Sequence, residues 1–193
     1  MKIELNDRVR SFFGVTNVDL EQIISTFEPK KLKKDEYFLK SGAYSNSIGF
    51  VQSGVLRKYL FVDDKEITNG IAMEGAFVVD FPSFWFRDPA RLNFQAITDC
   101  ELFIVSRADY DNFSREIKKW HEIEKSFILD YFIKEQTRMA SYLAMSAEQR
   151  YAQLLQSSPD LILQVPLQYL ASMLGMSAET LSRVRRKLIK KVS

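Results

Sequence analysis

The chain has one cysteine, Cys100, and one histidine, His121, among its 193 residues. A lone thiol excludes an internal disulfide, which fits a reducing cytoplasm. It also excludes an iron–sulfur cluster, which needs about four cysteines. Cys100 and His121 are in principle haem ligands. However, a lone His on a charged helix reads as plain surface and a Cys in an apolar strand reads as core, so no metal site is expected. There is no nucleophile–base pair, paired-carboxylate motif or Gly-rich phosphate loop, so an enzyme is not expected either. No run approaches the ~20 apolar residues that cross a bilayer, and Met1 to Asp7 lacks the apolar stretch of a signal peptide. The expectation is a cytoplasmic protein without a membrane partner. A strong overall charge is missing too, since the net value is +2.

What charge there is has an uneven distribution. Residues 151–193 carry Arg183, Arg185, Arg186, Lys187, Lys190 and Lys191 against only Asp160 and Glu179, while the first 150 residues are slightly acidic. A basic end suits a polyanion-binding module, although a solvated basic tail has the same composition. Hydrophobic residues make up 46% of the chain, enough for a core that needs no staples.

Three zones follow from the patterning. From Tyr37 to Ser106, short apolar runs such as Ile48-Gly49-Phe50-Val51, Val55 to Val62 and Leu102 to Val105 alternate with turn residues, as in an antiparallel barrel or sandwich. Asp63-Asp64-Lys65-Glu66 reads as a hairpin tip, and Asn17 to Phe27 as a short helix with Ile23, Ile24 and Phe27 on one face. From Ala108 to Met145 there is no Gly or Pro, and apolar residues recur at helical spacing. The apolar arc around 127–132 is wider than one stripe and must be covered on two sides. Ile123, Phe127, Ile128 and Tyr131 are therefore expected at a contact between two copies of this helix, the other reading being a helix buried within one chain. From Ser146 onward the pattern is all-helical. Ser146-Ala147-Glu148-Gln149 is a capping box, its helix ends near Ser157, and Ser158-Pro159-Asp160 breaks it.

The informative stretch is 165–191. Pro166 suits the first turn of a helix, with Leu167, Leu170, Ala171 and Leu174 on one face. Gly175 supplies the positive φ of a tight turn, Ser177 caps the next helix, and Leu181, Val184 and Leu188 give that helix a buried side. This is helix, short turn with Gly, helix. The opposite side carries Glu179, Ser182, Arg183, Arg186 and Lys190, three or four residues apart. Arg can bond a guanine edge in bidentate fashion and Glu can accept from cytosine N4, so the partner expected is double-stranded DNA. An ordinary helical hairpin with a charged outer face has the same polarity pattern.

Gly42, Gly54 with Arg57, the stretch Ala96 to Ser106, the helix start Ala147-Glu148-Gln149-Arg150-Tyr151 and the run Ser177-Ala178-Glu179-Thr180-Leu181-Ser182-Arg183 together resemble the Crp/Fnr family of bacterial regulators. The resemblance implies an α+β chain: an N-terminal antiparallel β-roll or jelly-roll barrel with its N-terminal helix (1–107), a long central dimerisation helix (108–145) and a C-terminal all-α helix-turn-helix domain (146–193) lacking a full wing. It implies a homodimer on a palindromic operator, with RNA polymerase as a further partner. Gln168, Ser177 and Thr180 would hold phosphates, Glu179 and Arg183 would read bases, and Lys187 and Lys190 would add phosphate affinity. Ala178 stands where some members place an Arg.

The same resemblance implies an effector pocket at Gly75, Ala76, Arg91, Asn93, Glu135 and Gln136. Members that bind cyclic AMP use a Gly-Glu-Leu turn and a later Arg-Ser or Arg-Thr pair, whereas this chain reads Gly75-Ala76-Phe77 and Ala90-Arg91-Leu92-Asn93. A one-residue slip on a strand reverses a side chain, so tight cyclic-AMP binding is not expected and the effector is unknown. The aromatic run Phe81 to Phe86 either lines an apolar effector pocket or plugs the barrel. Accordingly, two regulators are compatible with the sequence, one whose roll senses a small molecule and one whose roll is only a platform.

Overall fold

In the computed structural model the described residues are 2–13, 15 and 17–192, with side chains described for 5–10, 15 and 19–188. Two helices, α1 (Lys2–Phe13) and α2 (Asn17–Ser25), lead into strands β1 (Glu28–Leu32), β2 (Tyr37–Leu39), β3 (Ser47–Ser53), β4 (Leu56–Val62), β5 (Lys65–Ala72) and β6 (Phe77–Val78). A short helix α3 (Phe81–Phe86) precedes β7 (Asn93–Ala96) and β8 (Cys100–Ser106). The chain then becomes helical: α4 (Arg107–Glu116), α5 (Trp120–Ala144), α6 (Ala147–Ser157), α7 (Pro159–Gln164), α8 (Leu167–Met173) and α9 (Ala178–Val192).

The strands form two antiparallel four-stranded sheets, ordered β1-β8-β3-β6 and β2-β7-β4-β5. Between them lies a core of Leu32, Val51, Leu56, Phe94, Cys100 and Leu102 with their neighbours. The expected hairpin tip is the two-residue turn Asp63-Asp64, both at positive φ (47° and 60°), the conformation of the tight turn that matches strand twist. Lys65 and Glu66 already belong to β5, and the register between β4 and β5 slips after Lys58, leaving Asn69 as an extra residue.

Three local expectations need correction. The single helix anticipated over 108–145 is broken after Glu116. Ile117 turns extended (φ −105°, ψ 111°) and its N–H bonds Phe113. Nothing local demands this break. Tyr110, Phe113, Ile117 and Trp120 are all buried in one core, and Phe113 and Tyr110 meet the Trp120 ring at 4.9 and 5.2 Å. Packing overrides helix propensity, which is a weak determinant. Secondly, Pro159 does end one helix, but it also opens α7 from its first turn. Thirdly, of the two readings of the aromatic run Phe81–Phe86, plugging the barrel is not what is found: none of its side chains belongs to the core between the sheets, and Phe81 lines a cavity beside it. Asp80 caps the run as α3 by accepting from the Ser83 amide, and its rings pack on α5: Phe81 stacks on Tyr131 at 3.9 Å, and Trp85 lies 5.9 Å from Phe127.

The faces of α5 also differ from expectation. Ile123 and Phe127 are buried inside this chain, Ile128 packs partly against the same core, and Tyr131 is taken up by Phe81. These four are not a free contact surface. The exposed apolar side chains of α5 are instead Leu129, Phe132, Ile133, Met139 and Leu143, Phe132 and Ile133 being 55% and 61% exposed. The arc seen in the sequence is real, but its α3-facing side is already covered.

Candidate DNA interface and effector cavity

Helices α8 and α9 build the C-terminal unit around Leu170, Ala171, Leu174, Leu181 and Val184, all buried. Between them the chain turns at Gly175 (φ +64°), where an L side chain would be strained. The Met176 amide bonds back to the Ala171 carbonyl at 3.0 Å, closing the turn. Ser177 then caps α9 by accepting from the Thr180 amide at 3.1 Å. Two side chains that sequence reasoning passed over brace this turn. Arg150 donates from Nε to the Leu174 carbonyl and from Nη1 to the Met145 carbonyl, both at 2.8 Å. The Tyr142 hydroxyl donates to the Met173 carbonyl. An Arg after a capping box, with no acidic residue at helical spacing to pair with it, was the available signal.

With Leu181 and Val184 turned inward, Glu179, Arg183 and Arg186 share one exposed stripe of α9. Among the described residues Arg183 makes only a long contact, Nη2 to Thr180 Oγ1 at 3.3 Å. Gln168, Ser177 and Lys187 are exposed, whereas Ser182 and Thr180 are half-buried. Lys187 is tied to Glu148 of α6. The Lys190 side chain lies outside the described residues.

This unit is docked on the roll. Val55, Ile71, Met73 and Ile97 of the roll belong to the same core as α8 and α9. Polar contacts fix the register: the Thr68 amide donates to Ser172 Oγ at 2.9 Å, and Arg57, only 2% exposed, lies between the rings of Tyr59 (4.3 Å) and Tyr169 (4.1 Å). Its Nε bonds Thr68 Oγ1 and its Nη1 bonds Glu66 at 2.5 Å.

A cavity of about 850 Å³ opens where the roll, the N-terminal helices and α5 meet. Gly75 and Ala76, both expected at an effector site, line it, together with Phe77, Phe81, Phe127 and Tyr131. The other expected residues do not. Arg91 is exposed away from it, and Asn93 is buried with its Oδ1 accepting from the Ser41 amide at 3.0 Å. Glu135 is paired with Arg138, whose Nη1 also bonds the carbonyl of the bulged Asn69 at 2.7 Å; Gln136 is exposed. Arg91 precedes β7, which begins only at Asn93, and Asn93 turns its side chain into the roll's own hydrogen bonds. Lys58, missed in the sequence, lines the cavity, and burial holds its ammonium below the ordinary lysine pKa. Burial likewise pushes the Tyr131 phenol up to about 12. Cys100 sits in the barrel core, its thiol against the Val55 carbonyl at 3.5 Å, and His121 is exposed on α5. No group of three or more potential metal-ligating side chains occurs among the described residues.

Comparison with known proteins agrees with this geometry. The cyclic nucleotide-binding domain family matches residues 29–116. No curated protein matches the chain by sequence. Among solved structures, FixK2 from Bradyrhizobium japonicum is 18% identical with a TM-score of 0.74, covering 86% of this chain and 85% of its own. A transcriptional regulator of the Crp/Fnr family from Eubacterium rectale is 15% identical with a TM-score of 0.69, covering 96% and 88%. The c-di-GMP-responsive global regulator CLP from Xanthomonas campestris is 18% identical with a TM-score of 0.68, covering 91% and 93%. Residues 29–116 thus resemble the cyclic nucleotide-binding domain family, and the roll with the helices behind it has the fold seen in the Crp/Fnr regulators.

Proposed function

We propose that this chain is a homodimeric, sequence-specific DNA-binding transcription regulator whose roll senses a small molecule. One observation carries the DNA reading: α9 is anchored through Leu181 and Val184 while Glu179, Arg183 and Arg186 stand exposed along its other side. A helix held this way can enter a major groove with guanidinium groups at base edges and free amides near phosphates. Gln168, Ser177 and Thr180, near the starts of α8 and α9, are then the phosphate contacts, with Lys187 and Lys190 adding charge.

Dimerisation is supported by the apolar residues of α5 left uncovered. Leu129 is three and four residues from Phe132 and Ile133, Met139 is four from Leu143, and Phe132 is seven from Met139, a spacing that suits a seam between two helices although Gln136 interrupts it. The cavity beside α5 favours a sensing roll over a purely structural platform, because a platform has no need of a polar opening between roll and helix. The barrel interior itself is filled by aliphatic side chains and Phe94, so any effector would sit at the α5 side. None of the described helices is long and apolar enough to cross a membrane. The protein is expected to act in the cytoplasm, where RNA polymerase would be its further partner, and no catalytic activity is assigned to it.

The test is selection of bound sequences from a random DNA pool by the full chain. A palindrome with half-sites about one helical turn apart is the expected product. Recovery of unenriched DNA, with a salt dependence alike for all sequences, would sink the proposal.

A further inference from the structure

One side chain of the roll is at odds with its position. Side chains alternate along a strand, and on β4 Leu56 enters the barrel core while Arg57 and Tyr59 face the helical unit. Lys58 falls on the same side as Leu56. It reaches the cavity by crossing Gly70, where a Cβ would stand 2.8 Å from Lys58 Cε. Among the described residues its ammonium has neither a hydrogen bond nor an ion pair. Lys58 is half-buried, and a desolvated cation without a partner is costly, so the site suits a group that is not part of the protein.

The rest of the cavity narrows the chemistry. Tyr131 also lines it, and its hydroxyl makes no hydrogen bond to any described residue, so two donors without a protein acceptor belong to one cavity. Among the lining residues, Arg8, Lys119 and Lys134 are matched in number by Asp19, Glu122 and Asp130, which leaves Lys58 as the cation in excess there; the Asp80 carboxylate, which also acts on Lys58, is engaged as the cap of α3. Glu135, the nearest further carboxylate on α5, is held by Arg138. The floor is apolar: Phe77, Phe81 and Phe127.

We propose that this cavity takes a hydrophobic carboxylic acid, its carboxylate held by the Lys58 ammonium and the Tyr131 hydroxyl and its apolar body lying against Phe77, Phe81 and Phe127. The proposal rests on the sensing role given to the roll above and specifies its ligand class. A monoanion satisfies the single excess charge. Its negative charge also offsets the effect of the desolvation that lowers the Lys58 pKa.

Calorimetric titration of the full chain with octanoate and 3-phenylpropionate, each against its neutral alcohol, tests this. The acids should bind about ten- to a hundredfold more tightly than the alcohols, the range for one hydrogen bond to a charged group. Lys58→Met, which keeps the stem and removes the charge, should erase that preference while leaving alcohol binding intact. Gly70→Ala should weaken acid binding by displacing the Lys58 stem without a forbidden backbone angle. Whichever acid binds better tells an aliphatic from an aromatic ligand, and either result supports the class. Equal affinity for acid and alcohol, or a preference that survives Lys58→Met, overturns the carboxylate assignment while leaving the cavity an effector site. Failure of all four probes overturns the ligand class and leaves the DNA reading to its own selection experiment.

Discussion

The Arg57 guanidinium lies 4.1 Å from the centre of the Tyr169 ring, and that contact ties a strand of the roll to the first helix of the helix-turn-helix. Tyr59 flanks the same guanidinium from the roll side at 4.3 Å. A desolvated cation between two rings gains about 2 kcal/mol or more. Truncating Tyr169 to Ala removes one ring without unpairing Arg57 from Glu66 and Thr68. Faster amide exchange at Thr68, whose N–H bonds Ser172, is the expected outcome, with the barrel strands β3 and β8 unaffected. Unchanged exchange at Thr68 would show that the apolar contacts alone hold the two units.

Arg183→Ala should cost about 1–3 kcal/mol on the selected DNA and relax the preference at one base position. Lys187 makes a contrasting case. Its ammonium is tied to Glu148, and reaching a phosphate means giving up that pair. Lys187→Ala is therefore expected to weaken all sequences alike, and by less than a free phosphate contact. Titrations on specific and random DNA at several salt concentrations separate the two; equal losses on both DNAs from Arg183→Ala would exclude base reading by that residue.

Placing a charge on the uncovered side of α5 should separate the proposed dimer. Ile133→Asp, at a side chain 61% exposed in the single chain, is expected to leave the thermal stability of the protomer little changed. Sedimentation should then report a monomer, and affinity for a palindromic site should fall towards that for a half-site. The same change at Phe127, which is 1% exposed, should instead unfold the α3–α5 contact. If Ile133→Asp remained a tight dimer, the contact would lie elsewhere.

Leu181 is fully buried where α9 meets α8. Leu181→Ala should cost about 2–5 kcal/mol by leaving a cavity. Thermal unfolding followed by circular dichroism measures it, and DNA binding should be lost with the fold of the unit rather than with its charge.

Cyclic AMP should not bind with micromolar affinity. Arg91 is outside the cavity, Gly75-Ala76-Phe77 offers no carboxylate for a ribose hydroxyl, and the Asp80 carboxylate is engaged as the cap of α3. Calorimetry with cyclic AMP checks this directly.

Much of the helix-turn-helix unit was legible in the residues themselves. The capping box at Ser146 and Gln149, the positive φ at Gly175, the cap at Ser177 and the inward triplet beginning at Leu181 are all encoded within a few neighbouring positions. So was the β4–β5 hairpin, because turn chemistry and alternation act locally. The cavity was only half legible. Gly75 and Ala76 lie where resemblance placed them, but Lys58, its key cation, looked like any exposed strand lysine, and Arg91 and Asn93 did not reach the site.

By itself, the order of residues determined the elements whose signals are short in range: strand alternation, helix caps, the tight turn, and the charged stripe of α9. Only tertiary structure decided that α4 and α5 part at Ile117, that Ile123 and Phe127 face inward while Phe132 and Ile133 face out, and that Lys58 ends in a cavity. Those outcomes depend on which distant surfaces compete for the same apolar side chain, as Phe81 does for Tyr131. Such competition is settled by packing between segments far apart in the chain, for which no local periodicity exists.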